Sequence, residues 1–158
     1  MRTAGWLALA GVVGLAGGCA HEAAKVAPPA HGARVALLPA ESEQFPAAAT
    51  ALNTALRDAP LDALGERFLS KVSLEVVQLS IECVDASAAC YAAAGRALAA
   101  DRLLFAQLAP NGHGLRVTVT LFDVRAAAPA KQSAGDFPDE QEAARGAARL
   151  VDTVVAPR

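Results

Sequence analysis

No run of basic residues occurs anywhere in this sequence, and its 14 Lys and Arg are set against 16 Asp and Glu, a formal net charge of -2. Binding to nucleic acid or to an anionic surface needs clustered cations, so neither class of partner is expected. The short signatures of common chemistries are missing as well: there is no G-x-S-x-G, no H-E-x-x-H, no phosphate-cradling P-loop and no G-x-G-x-x-G. No internal repeat is present, and 158 residues exclude a multidomain enzyme. Large apolar side chains are outnumbered by small ones. Hydrophobic residues make up 54% of the chain, but 40 of its residues are alanine, more than its Leu, Ile and Phe together, so the core is thin.

What is present begins with an address. Arg2 supplies a positive start, Trp6 to Ala16 an uncharged apolar stretch, and Gly17 and Gly18 small residues ahead of Cys19, the layout of a secretory signal over residues 1–18. The run Leu15-Ala16-Gly17-Gly18-Cys19 resembles a bacterial lipobox, with Leu one place further from the cysteine than in the commonest form. The apolar stretch is short for a bilayer span, which needs about 20 residues. The resemblance implies that Cys19 is lipidated and becomes the first residue of the mature protein, anchored to a membrane by acyl chains. Loss of Arg2 leaves 13 basic against 16 acidic residues, a net of -3. Ala20 after the cysteine resembles the default choice for outer-membrane lipoproteins, most simply facing the periplasm.

Residues 19–33 carry the lipidated cysteine and then an Ala- and Pro-rich stretch with Pro28-Pro29 and no periodicity, which reads as a flexible tether. His21 and His31 lie in it, and two histidines ten residues apart in a tether are solvated side chains rather than a metal site, so no metal or cofactor is expected.

Residues 34–158 read as one domain. Val35-Ala36-Leu37-Leu38 before Pro39 is a short buried strand, and Pro46 opens a helix with Ala48, Leu52, Ala55, Leu56 and Ala59 on one face and Pro60 as its stop. Leu61, Leu64, Phe68 and Leu69 suggest a second helix over residues 61–72, or a continuation of the first. Residues 73–83 fit a strand by composition and a helix by the spacing of Leu74, Val77 and Ile81 behind Ser73, and the helix is preferred. Ser87 caps a helix over 88–100 with Tyr91, Ala94 and Leu98 inward and Gly95 allowing close packing. A hairpin follows, 103–108 and 115–124 about a turn at 111–114, with Leu115, Val117, Val119 and Leu121 facing the core and Arg116, Thr118 and Thr120 facing water. After a turn at 126–130, a polar edge strand is expected over 131–137. The last helix starts at Asp139, spaced from Glu142 as in a capping box, and buries Ala143, Ala147, Leu150, Val151 and Val154. This order gives an α/β or α+β fold, helices packed on a small mixed sheet.

With Cys19 lipidated, Cys83 and Cys90 remain, seven positions apart in an exported chain. A structural disulfide is the natural reading in an oxidising compartment; a redox pair would be expected as a tighter Cys-X-X-Cys.

The strand at Val35 to Pro39, the helix after Pro46, the run Leu98-Ala99-Ala100-Asp101-Arg102-Leu103-Leu104 and the second hairpin strand ending Leu121-Phe122-Asp123-Val124 resemble a known pattern. They are similar to the small α/β domain at the N-terminus of TolB and in related envelope lipoproteins of the CsgG, FlgO and penicillin-binding-protein-activator type. The pattern's VAVLP strand, its "LGADyll" junction and its "LxDv" ending are matched over roughly residues 34–155, with Ala99 where that family usually has Gly. The family's usual strand after the first helix is not evident between 60 and 83. The resemblance implies a non-catalytic domain that acts by protein contact in the envelope, and it carries over no functional residue.

The residues give the same direction. His113, the one histidine of the expected folded region, stands in a Gly-flanked turn and reads as an exposed turn residue, and Asp136, Asp139, Glu140 and Glu142 gather at a helix start, where carboxylates favourably meet the dipole. The expected contact surface is the hairpin tip with His113, the polar strand face Arg116, Thr118 and Thr120, and the edge strand, which could pair with a partner strand. The alternatives are an envelope hydrolase or ligand-binding lipoprotein using the acidic cluster at 136–142, and a surface-exposed lipoprotein without a specific partner.

Overall fold

The computed structural model describes residues 32–83 and 85–157; the segments read as signal and tether, with Cys19, His21 and His31, lie almost wholly outside the described residues. The elements run β1 (Arg34–Leu37), α1 (Pro46–Asp58), β2 (Glu66–Leu69), α2 (Leu74–Ser80), α3 (Ala88–Ala97), β3 (Arg102–Asn111), β4 (Gly114–Asp123), β5 (Ala128–Phe137) and α4 (Glu140–Val155). They form a five-stranded mixed sheet in the order β2-β1-β3-β4-β5, with β1 parallel to both β2 and β3 and the β3-β4-β5 meander antiparallel. The α/β reading of the sequence holds.

Helices cover both faces. Val35, Leu37, Leu104, Ala106, Leu115, Val117, Val119 and Leu121 meet α1 and α4 on one side, through Leu52 and Leu56 of α1 and Val151 and Val154 of α4. On the other side Ala36, Leu38, Leu103, Phe105, Phe122 and Val124 meet α2 and α3, through Leu74, Val77, Ala92 and Ala94. The small residues let the layers approach closely. A Cβ at Gly95 of α3 would lie 2.2 Å from Val124 Cγ2, so the close packing expected at Gly95 is met.

The segment 61–72 departs from the expected helix. Leu64 and Gly65 both donate backbone N–H bonds to Leu61 O, at 2.7 and 3.2 Å, closing a turn that sends Leu61 and Leu64 toward the α1/α4 core. The three-residue apolar spacing that suggests a helix is this turn. Gly65 then passes beside Ala33 at φ +134, where a Cβ would sit 1.8 Å from Ala33 O, and Glu66 N donates to that oxygen at 2.8 Å. The chain thereby enters β2, in parallel register with β1 from Arg34↔Glu66 to Leu37↔Leu69. The strand missing from the sequence reading is therefore present, as a four-residue edge. Residues 73–83 do hold a helix, α2, with Leu74 and Val77 buried.

Smaller differences concern ends. The turn before β5 is tighter than expected and the strand begins at Ala128, with a register irregularity at Leu121/Phe122 that spends one extra residue. Helix α3 stops at Ala97 in a Schellman motif: Ala100 N donates to Gly95 O (2.9 Å) and Ala99 N to Arg96 O (3.0 Å). Ala99 occupies the left-handed position of that motif, φ +50, which explains why glycine suits the site.

Helix α1 begins without a cap of its own. Phe45 offers no side-chain acceptor, and instead Glu140, the first residue of α4, reaches across so that its Oε1 accepts from Ala47 N (2.5 Å) and Ala48 N (3.2 Å). A carboxylate on these unpaired N–H groups meets both their hydrogen-bonding need and the positive end of the helix dipole. It also fastens the first long helix to the last.

Two outcomes follow for stability. Glu140→Ala lowers the unfolding free energy by about 1–2 kcal/mol in chemical denaturation, the range for loss of a helix N-cap. Ala99→Gly raises it by about 0.5–1 kcal/mol, the left-handed strain relieved less the added chain entropy; a loss of stability would refute the strain at Ala99.

Candidate docking face

Strands β3, β4 and β5 are ten residues long, whereas β1 and β2 have four. On the α2/α3 side the covering helices have seven and ten residues, and their buried contacts reach Phe105 and Phe122 but not the hairpin end of the meander. The outer half of this sheet face is open. Pairing puts Gln107, Thr118 and Ala134 in one row across it, and Ala109, Arg116 and Asp136 in the next. Directly paired residues share a face, so these rows form one surface.

The surface is polar and internally bonded. Asn111 Nδ2 donates to Asp136 Oδ1 at 2.8 Å, and Arg116 Nε stands 3.6 Å from the same oxygen. Gln132 Nε2 donates to Thr120 Oγ1 at 3.1 Å, and Gln107 Nε2 makes a longer contact of 3.4 Å with Tyr91 OH, which links the open face to the Tyr91, Phe105 and Phe122 aromatic cluster beneath α3. The Arg116 and Asp136 side chains are 55% and 51% exposed. An ion pair that wet contributes about 0–1 kcal/mol, so the fold does not depend on it. Its consequence is orientation: the two opposite charges are held side by side at the centre of the open rows.

The sequence-derived residues divide here. Arg116 is exposed and Thr118 half-buried on the open face, and His113 is exposed in the two-residue loop with Gly112 at the hairpin tip. Thr120 is not on the surface. It is 2% exposed, because its row begins at Phe105 under the α3 layer, and its hydroxyl serves as acceptor for Gln132. The alternation Arg116, Thr118, Thr120 is real, but the water on that face stops after Thr118. Asn111, Gln132 and Asp136, from the expected hairpin tip and edge strand, complete the face with Gln107, which the sequence does not single out. What joins them to Arg116 is cross-strand register, available only once the β3–β4 and β4–β5 pairings are known.

At the meander's far side, β5 is an edge strand with neighbours on one side only. Most of its side chains are small, Ala, Ser and Gly, beside Lys131, Gln132, Asp136 and Phe137, and Lys131 Nζ donates to Ala156 O at the end of α4. Pro129 and the irregularity beside it blunt one end of this edge.

The acidic residues do not form one site. Asp136 belongs to the open face, Glu140 to the start of α1, and Asp139 caps α4 by accepting from Glu142 N at 2.8 Å. The reciprocal half of the capping box is replaced: Glu142 Oε1 accepts from Arg145 at 2.6 Å, and that bond and charge raise the Arg145 pKa above its ordinary value. Cys83 and Cys90 are bonded to each other, tying the end of α2 to α3, and Gln78 Nε2 donates to Asp85 O and to Cys90 Sγ across the loop. Among the described residues no group of three or more His, Cys, Asp or Glu is placed to hold a metal ion, and no helix is long and apolar enough to cross a membrane.

No protein-family model matches the chain, and no curated protein does. Solved structures with a similar fold include the LpoB C-terminal domain from Salmonella enterica, at 14% identity over 68% of this chain and 83% of that one, TM-score 0.43. TolB from Acinetobacter baumannii is similar at 16% identity over 79% of this chain but 29% of its own length, TM-score 0.42. A lipoprotein from Neisseria meningitidis is similar at 15% identity over 66% of this chain and 81% of that one, TM-score 0.37. At these scores they assign no family.

Proposed function

We propose that this protein is a lipid-anchored envelope protein that acts by binding another envelope protein, without catalysis, through the open face of β3–β5 and the adjoining edge of β5. The observation that carries the proposal is the uncovered outer half of the meander of ten-residue strands, whose opposite face packs against α1 and α4. A partner can lay a polar surface over the Arg116 and Asp136 rows, or add a strand to β5 where its backbone is unpaired. The lipobox-like run at Cys19 and the tether support the setting: 14 residues between Cys19 and Arg34 reach at most about 50 Å, enough to hold the face away from the lipid while keeping it near the membrane. The cysteine bridge suits an oxidising compartment on the outer side of an inner membrane. The outer membrane and its periplasmic face are part of this proposal, on the strength of Ala20 after the cysteine.

The hydrolase alternative needs two carboxylates free to act together. Here Asp139, Glu140 and Glu142 are each committed to a helix start or to an arginine. The binding reading is the one the geometry favours.

Mild crosslinking of envelopes, followed by capture of the tagged lipidated protein, recovers a stoichiometric partner in this account. Cys19→Ser abolishes recovery by removing the anchor, and Arg116→Glu lowers it about tenfold or more while the folded yield stays unchanged, since one well-placed interface residue contributes about 1.4 kcal/mol or more. Unchanged recovery with Arg116→Glu removes the open face from the proposal. Recovery of no partner from wild type overturns the binding function itself.

A further inference from the structure

A second feature lies at the other edge of the sheet, beside β1 and β2. After β1 the chain leaves to α1 on one face, and after the adjacent parallel strand β2 it leaves to α2 on the opposite face. Two neighbouring parallel strands whose connections part in this way leave a hollow beyond their carboxyl ends. A crevice of about 260 Å³ occupies this position. Its walls come from the residues after β1, from the residues after β2 and from the last turns of α1.

Its chemistry is specific. Leu37 and Leu56, each 2% exposed, and the outer side chain Leu69 give an apolar floor and mouth, and Asn53 is fixed at its side by two bonds to the Ala40 backbone, 2.7 and 2.9 Å. Two cations, Arg57 and Lys71, stand on the rim, and no carboxylate lines the crevice. Arg57 uses only Nε in a bond to Asn53 O at 3.0 Å, and neither side chain has an ion-pair partner among the described residues. Leu69 is 60% exposed, a large apolar group left in water at the mouth. Two like charges beside an apolar hollow, with no acid between them, match an anion joined to a short aliphatic body. The volume lies below the roughly 300–1,000 Å³ that holds drug-sized molecules, which limits the ligand to a small one.

We propose that this crevice binds a small amphipathic carboxylate, its aliphatic part on Leu37, Leu56 and Leu69 and its carboxylate between Arg57 and Lys71. A free short-chain acid and the C-terminal residue of a polypeptide present the same chemistry. The site is independent of the open face of β3–β5, which lies across the sheet from it.

The test is calorimetric titration of the full chain in lipid nanodiscs, with empty nanodiscs subtracted, using hexanoate, hexanol and hexylamine as probes. Hexanoate binds, whereas hexanol and hexylamine bind at least about tenfold more weakly, as does hexanoate to the Arg57→Met/Lys71→Met variant. Arg96→Met, on α3 away from the crevice, leaves hexanoate affinity unchanged and controls for loss of a cation elsewhere on the surface. A hexapeptide ending in leucine, compared with its C-terminal amide, distinguishes the two sources: tighter binding of the free-acid peptide than of hexanoate assigns the site to a polypeptide end, and binding of hexanoate alone assigns it to a free acid. Absence of hexanoate binding, equal binding of the three probes, or full affinity in the Arg57→Met/Lys71→Met variant overturns the proposal.

Discussion

The unequal coverage of one sheet governs the rest of this structure. Two four-residue parallel strands are joined to three ten-residue antiparallel ones, and the α1/α4 side has the longer helices, 13 and 16 residues, which cover more of the strands' length. On the other side α2 and α3 are short, and the meander runs out from under them. Burial of Leu115, Val117, Val119 and Leu121 against α1 and α4 fixes the strand register, because a slip by one residue would exchange this row for Arg116, Thr118 and Thr120. The same register therefore holds the polar row in place on the open side. Surface and core are two readings of one alternation.

A thin core makes the fastenings between layers important. Alanine and glycine let the helices approach the sheet but bury little area per residue, at about 25 cal/mol per Å². Three devices act where apolar area is short. Glu140 ties the start of α4 to the start of α1; the Cys83–Cys90 bridge closes an eight-residue loop, a constraint of about 2–3 kcal/mol in the chain-entropy view; and Asp101 accepts from Arg34 N at 2.8 Å where β1 enters the sheet. Each joins segments far apart in the chain or ends of short elements.

The legible parts of the sequence were those with strong periodicity or explicit punctuation. Pro46 and Pro60 frame α1, Ser87 and Asp139 sit at the starts of α3 and α4, and the alternation through β4 marks a half-open strand. Residues 61–72 were not legible, because β2 has only four residues, Glu66 and Arg67 among them, and its strand character comes from pairing with β1 rather than from composition. Thr120 departs from the surface expected of it for a related reason: alternation tells which side of a sheet a residue faces, and only the length of α3 tells where cover on that side ends. Asn111 and Asp136 joined Arg116 through the β4–β5 register, which spacing alone does not disclose across a turn with an irregularity in it. The crevice at Arg57 and Lys71 depends on β2, so it was hidden with that strand.

The central claim is that the outer half of the β3–β5 face meets another protein. It is tested most directly by placing a photo-crosslinking residue at Thr118, on that face, and separately at Thr54, exposed on α1 on the opposite side, in the full chain expressed in intact cells. The account predicts one discrete protein adduct from position 118 and none from position 54. An adduct from position 54 with none from position 118, or equal adducts from both, would contradict it.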